Sequence, residues 1–151
     1  MCGSLTIRSL ALSDFAQWQP LWEEYNCFYG RRTFPVEITQ RTWSRFFDPY
    51  EPVYAVVGEI NTRIVGLAHY LFHRSTIHVE DTCYLQDLFT EESTRGRGVG
   101  RGLIEAVFER ARVAGCARVY WQTHESNSLA MKLYDQLAQR SGFVVYRKQI
   151  S

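Results

Sequence analysis

Four glycines alternate with other residues in Arg95-Gly96-Arg97-Gly98-Val99-Gly100-Arg101-Gly102, and few folds have a use for such a run. Glycine weakens a helix and brings no side chain to a core. Its repetition here argues for a backbone that turns sharply and lets something approach closely. The flanks set the context. Asp81 to Thr90 reads as a strand, and Leu103, Ile104, Val107, Phe108 and Ala111 form one apolar helical face. A loop between a strand and a helix start presents unpaired N–H donors at the positive end of the helix dipole. Arg95, Arg97 and Arg101 add charge at the same place. This is the composition of a phosphate cradle. The plainer alternative is a tight turn at Gly96 and Gly98, with Gly100 and Gly102 easing helix packing.

The rest of the chain fits around that unit. Leu5 to Leu10 reads as a short strand. Ser13-Asp14 offers a cap for a helix carrying Phe15, Trp18, Leu21, Trp22, Tyr25 and Phe28, which Gly30 ends. Thr39 offers a cap for a second helix with Trp43, Phe46 and Phe47, stopped at Asp48-Pro49. Val53 to Ile60 and Arg63 to His73 read as antiparallel strands around Asn61-Thr62. After the glycine helix come Gly115 as its stop and a strand from Ala117 to Thr123. A helix follows Ser126-Asn127 and carries Leu129, Leu133 and Leu137. Gly142 ends it, and Phe143 to Ile150 reads as a closing strand. The order β-α-α-β-β-β-α-β-α-β describes one mixed α/β domain spanning residues 1–151.

Spacing narrows the phosphate ligand. A Walker A loop needs Lys and then Ser or Thr after its last glycine, which this run lacks. A Rossmann G-x-G-x-x-G also fails. Its sixth position is Arg101, Leu103 or Glu105, depending on which glycine starts the count. The pattern R/Q-x-x-G-x-G/A does fit, on Arg95, Gly98 and Gly100. Together with Leu85-Gln86-Asp87-Leu88-Phe89-Thr90, this stretch closely resembles the acetyl-CoA-binding motif of the GNAT acetyltransferases. The resemblance covers residues 53 to 150 and looks closest to the polyamine and histone-tail branch. It implies a GNAT fold: a central, mostly antiparallel mixed sheet of about six or seven strands with a splayed pair, flanked by four helices. It implies an enzyme, an acetyl-CoA-dependent N-acetyltransferase that needs no metal. The backbone of Leu88, Phe89 and Thr90 is then expected to pair with the pantetheine arm like an added strand. The N–H groups of Gly96, Arg97, Gly98, Val99, Gly100 and Arg101 are expected to hold the pyrophosphate.

A second motif lies downstream. Asn127 precedes Tyr134 by seven residues, nearly two helical turns, so the two share a helix face. Amine attack on a thioester expels a thiolate, and a phenol nearby can protonate it. Tyr134 is therefore the candidate general acid. Asn127 is expected to contact the pantetheine or to start the helix. The base is not assigned. An alkylammonium must first lose a proton, and the resemblance implies a Glu where Gln86 stands. Asp87 is adjacent, but strand neighbours point to opposite faces. Glu80, Asp81, His124 and Glu125 lie near the expected site and also read as ordinary exposed charges.

In the family the first two helices shape the acceptor pocket. Here they offer Trp22, Glu23, Glu24, Tyr25, Phe28, Tyr29 and Trp43, as core aromatics or as a cation-receiving wall. Polyamine, amino acid, aminoglycoside, peptide and histone tail stay open as acceptors. The net charge of +1 argues against a nucleic-acid partner. No segment approaches the ~18 apolar residues of a membrane span. The expected setting is the cytoplasm, with Cys2, Cys27, Cys83 and Cys116 as reduced, mostly buried thiols. The closing strand is of a kind that can pair across a homodimer. The competing reading is a non-catalytic acetyl-CoA-binding sensor or regulatory module.

Overall fold

A computed structural model describes residues 3–151, so Cys2 lies outside the described residues. Contacts divide the chain into two compact units, the first running to Trp121 and the second starting at Gln122. The first unit is built on a five-stranded sheet. Its strands are β1 Leu5–Ser9, β2 Val53–Ile60, β3 Arg63–His73, β4 Thr82–Thr90 and β5 Arg118–Tyr120, side by side in chain order. The first four are antiparallel neighbours, and β5 joins β4 in parallel. Three helices accompany the sheet: α1 Phe15–Phe28, α2 Val36–Arg45 and α3 Val99–Val113. The mixed α/β class and the splayed, mostly antiparallel sheet are those expected.

The two sheet faces bury different helices. One face carries Ala55, Val57, Leu67 and Phe89. It packs with Trp18, Leu21, Trp22 and Tyr25 of α1, and Phe34, Trp43, Phe46 and Phe47 close over that cluster. Trp18 is fully buried and stacks on Trp22 at 5.6 Å. The other face receives α3 through glycines. An added Cβ at Gly66 would lie 2.8 Å from Cγ1 of Val99 and 3.2 Å from the Phe89 carbonyl. Gly58 approaches the same valine, and Gly102 approaches Leu5 and Ile7 of β1. These glycines let the start of α3 sit directly on the strands. Gly102 thus serves packing, the plainer of its two expected uses.

Several boundaries differ from the sequence pattern. The helix expected after Thr39 starts earlier, because Pro35, with φ −61°, is already set for a helix entry. Thr39 lies inside α2, where its Oγ1 accepts the Trp22 Nε1–H at 3.1 Å. Asp14 stands at the start of α1 without capping it. Its carboxylate instead takes the Ala11 N–H at 2.7 Å and two bonds from Arg8. The guanidinium holds that carboxyl below its ordinary range. Asn61 and Thr62 both adopt positive φ, the geometry of a tight hairpin turn that matches strand twist. Cys83 is buried, Cys116 partly so, and Cys27 is exposed, which corrects the expectation for Cys27. Burial pushes the Cys83 thiol up to about 12.

The second unit contains α4 Ser128–Leu137. That helix ends before Gly142, at Ala138, whose backbone is extended. The closing strand expected at 143–150 is not formed among the described residues, so the sheet has five strands instead of six or seven. A strand exists only where a neighbour takes its backbone groups, and none does so there among the described residues. Phe143, Tyr146 and Ile150 are almost wholly exposed. No helix among the described residues is long and apolar enough to cross a membrane.

The contact between Gly66 and α3 yields a stability prediction. Gly66→Ala forces Val99 and the Phe89 carbonyl to move and should cost about 1–3 kcal/mol. Urea unfolding should show an earlier midpoint with an unchanged slope, and an unchanged midpoint would refute the close approach.

Candidate functional site

The ladder between β4 and β5 stops early. It runs from Thr82–Arg118 to Tyr84–Tyr120 and no further. From Leu85 to Thr90 the edge of β4 away from β3 has no strand beside it among the described residues. Leu88, Phe89 and Thr90 lie on this open stretch, paired on their other side to Ala68, Leu67 and Gly66 of β3. Open N–H and C=O groups of this kind pair readily with an extended partner.

The glycine loop follows directly. A single 3-10 turn at Glu92–Thr94 leads to Arg95, and α3 begins at Val99. Gly96 and Gly98 have φ of +82° and +81°, and nothing lies within 4 Å of where a Cβ would stand. Val99 is buried and anchors the helix start. The amides of Gly96, Gly98, Val99 and Gly100 have no backbone acceptor among the described residues, whereas Arg97 N–H donates to Thr94 O at 3.3 Å. Gly98 has no side chain to cap α3. Arg95 and Arg97 are exposed around the loop, and the Arg95 guanidinium lies 6.0 Å from the Phe89 ring centroid. Arg101 faces Glu105 at 3.8 Å. Open space, free donors and positive charge at a helix start fit a diphosphate.

The strand itself carries a bulge. Leu85 pairs with Tyr70, yet Asp87 pairs with His69, so Gln86 is inserted without a partner. The insertion reverses the alternation beyond it. Asp87 therefore shares the α1 face with His69, while Leu85 faces α3 with Tyr70. Simple strand parity misplaces Asp87, and the bulge is the reason. Gln86 is exposed.

Around Asp87 the structure assembles a buried hydrogen-bond chain that sequence reasoning missed. Trp18 Nε1–H donates to His69 Nε2 at 3.0 Å. An indole nitrogen only donates, so this ring nitrogen of His69 holds a lone pair. The proton is then on Nδ1, which lies 3.0 Å from Asp87 Oδ2. Tyr25 O–H donates to Asp87 Oδ1 at 2.7 Å. His69 is 2% exposed, and its ring lies against Trp18, Trp22 and Phe46. Burial, and then the Asp87 charge, push the Tyr25 phenol well above its ordinary range. Asp87 is thus a carboxylate fixed by two donors at the open edge of β4. The only sequence signal was a lone His in an apolar strand, which by itself reads as core.

The comparisons with known proteins now bear on this arrangement. The sequence model of the family described as "Acetyltransferase (GNAT) family" matches residues 18–138. The chain belongs to that family. D-amino-acid N-acetyltransferase HPA3 of Saccharomyces cerevisiae is 36% identical over 146 residues, covering 95% of this chain and 90% of the relative. A probable acetyltransferase of known structure aligns with TM-score 0.86 at 21% identity, over 97% of this chain and 98% of its own. The aminoglycoside N-acetyltransferase AAC(6')-Iy in complex with CoA aligns with TM-score 0.81 at 18% identity, over 98% and 97%. At such identities the two structures show the fold alone.

As a GNAT acetyltransferase the protein is an acyl-transferring enzyme. The other expected residues of this GNAT enzyme sort clearly. Trp22, Tyr25 and Trp43 belong to the core or pack against it, Glu23 and Glu24 face solvent, and Phe28 and Tyr29 are exposed. Among base candidates, Asp81 pairs with exposed Arg74 at 3.1 Å, and Glu80 and Glu125 are exposed. His124 Nδ1 accepts the Ser126 N–H at 3.1 Å, which occupies its lone pair. In the second unit Asn127 stands at the start of α4. Its Nδ2 donates to Thr123 Oγ1 at 3.0 Å in place of capping the helix. Tyr134 lies on α4, half-buried.

Proposed function

We propose that this enzyme transfers an acetyl group from acetyl-CoA to a primary amine. The observation that carries the reading is the open edge of β4 leading straight into the glycine loop. An extended pantetheine arm suits Leu88, Phe89 and Thr90, and a pyrophosphate suits the free amides of Gly96, Gly98, Val99 and Gly100. When bound, acetyl-CoA supplies the thioester carbonyl. Arg95, Arg97 and Arg101 provide counter-charge for the phosphates. Asn127 is proposed as a pantetheine contact, on its spacing from Tyr134.

Tyr134 is assigned as the acid that protonates the departing thiolate. Its support is the Asn–Tyr spacing and its place on α4. The family match runs from residue 18 to residue 138 and so spans both compact units, which supports one functional domain. The acceptor class stays broad. Resemblance to the polyamine and histone-tail branch favours polyamines or lysine side chains, and the yeast relative adds amino acids. A cytoplasmic homodimer paired through residues 143–150 belongs to the same proposal. The exposed Phe143, Val144 and Tyr146 support it, and a monomeric mass at high concentration would remove it.

The regulatory alternative is separated by two measurements. Acetyl-CoA should raise the melting temperature, and Gly98→Asp should abolish the shift by placing a charged side chain in the cradle at positive φ. No shift in the wild type would end the cofactor assignment. Tyr134→Phe should lower kcat by about 10²–10⁴-fold with little change in the acetyl-CoA shift. Unchanged kcat would remove Tyr134 as the acid.

A further inference from the structure

Arg31 follows the left-handed Gly30 at the end of α1, and its placement is built. Its backbone N–H donates to Asn26 O at 2.8 Å, and its Nε donates to Asn26 Oδ1 at 2.8 Å. Asn26 is 1% exposed and is itself held by Nδ2–H to Trp22 O at 2.9 Å. The guanidinium therefore lies over two phenol rings, with Cζ 5.6 Å from the Tyr25 centroid and 5.4 Å from that of Tyr29. Arg8, Arg45, Arg63, Arg74, Arg112 and Arg140 each meet a carboxylate. Among the described residues Arg31 meets none, and its two Nη atoms make no hydrogen bond.

The opposite charge stands at the far end of the same phenol. The Tyr25 hydroxyl touches Asp87 at 2.7 Å. Both charges also reach the next ring. Burial raises the Tyr29 phenol, Arg31 works against that rise, and Asp87 adds to it. A fixed anion and an unpaired, positioned cation thus sit one tyrosine apart, beside the open edge of β4. A ligand with an ammonium and a carboxylate on one carbon spans such a pair. A polyamine directs a second ammonium at Arg31 and is repelled.

We propose that Asp87 and Arg31 form a two-point clamp for α-amino acids, with Asp87 receiving the ammonium and the free edge of Arg31 receiving the carboxylate. The proposal rests on the acetyltransferase reading and names its acceptor. Asp87 holds the amine next to the strand edge assigned to the pantetheine arm. Arg31 sets specificity, since a planar guanidinium binds a carboxylate through two parallel N–H bonds.

The test is CoA release with acetyl-CoA and a panel of free amino acids of both hands, their α-amides, and spermidine. The amides keep the amine and lose the carboxylate. They are also less basic, so the decisive quantity is how the acid-to-amide ratio of kcat/KM changes on substitution. Arg31→Met keeps the stem over the rings and should lower that ratio about tenfold to a hundredfold, mainly through KM of the acid. Arg31→Lys should restore part of it. Retention of the acetyl-CoA thermal shift in each variant establishes folding. An equal ratio in wild type and Arg31→Met, or spermidine preferred over every amino acid, overturns the clamp while the acetyltransferase reading stands. No release with any amine overturns both.

Discussion

The parting of β4 from β5 after Tyr84 is the constraint on which the candidate site depends. A paired strand at that position would consume the backbone groups of Leu85 to Thr90, leaving nothing for an extended ligand. The sheet can carry this open edge because β4 is secured elsewhere. It pairs with β3 along its length, and Arg63 meets Glu91 at 2.6 Å just past its end. Behind it, α3 lies against Gly58 and Gly66, so the loop from Gly96 to Gly98 starts from a fixed base. The first unit therefore supports β4 on its other sides and leaves this edge open.

The bulge at Gln86 adds the second element. One unpaired residue turns Asp87 onto the α1 face, where His69, itself held by Trp18, fixes one carboxylate oxygen and Tyr25 the other. An isolated buried carboxylate is costly, and charge-assisted hydrogen bonds offset that cost. The indole of Trp18 does more than fill space: it selects the His69 tautomer, and the tautomer makes Nδ1 a donor to Asp87. Core and site are one structure here, since the aromatic cluster that stabilises the fold also orients the charge.

Much of the scaffold was legible in the sequence because its signals are local. The glycine loop, the helical face behind it, the Asn61-Thr62 turn and the apolar face of α1 each follow from residues within a few positions of one another. The same locality explains the misses. Thr39 resembled a cap, but its hydroxyl serves Trp22. Residues 143–150 had strand composition, but composition cannot supply a neighbour. Parity along β4 pointed Asp87 the wrong way because a bulge is a property of two strands.

The sequence by itself determined which family this chain joins and where the open glycine loop before α3 lies, since glycine spacing and a helix start are written contiguously. Only the tertiary structure decided which charged groups gather beside the open edge of β4. His69 meets Trp18 across 51 residues, and Tyr25 meets Asp87 across 62. Arg31 acquires its meaning from the phenols beneath it. Such pairings are set by how α1 packs on the bulged sheet, and side-chain direction in that packing depends on ladder register, which one inserted residue is enough to reverse.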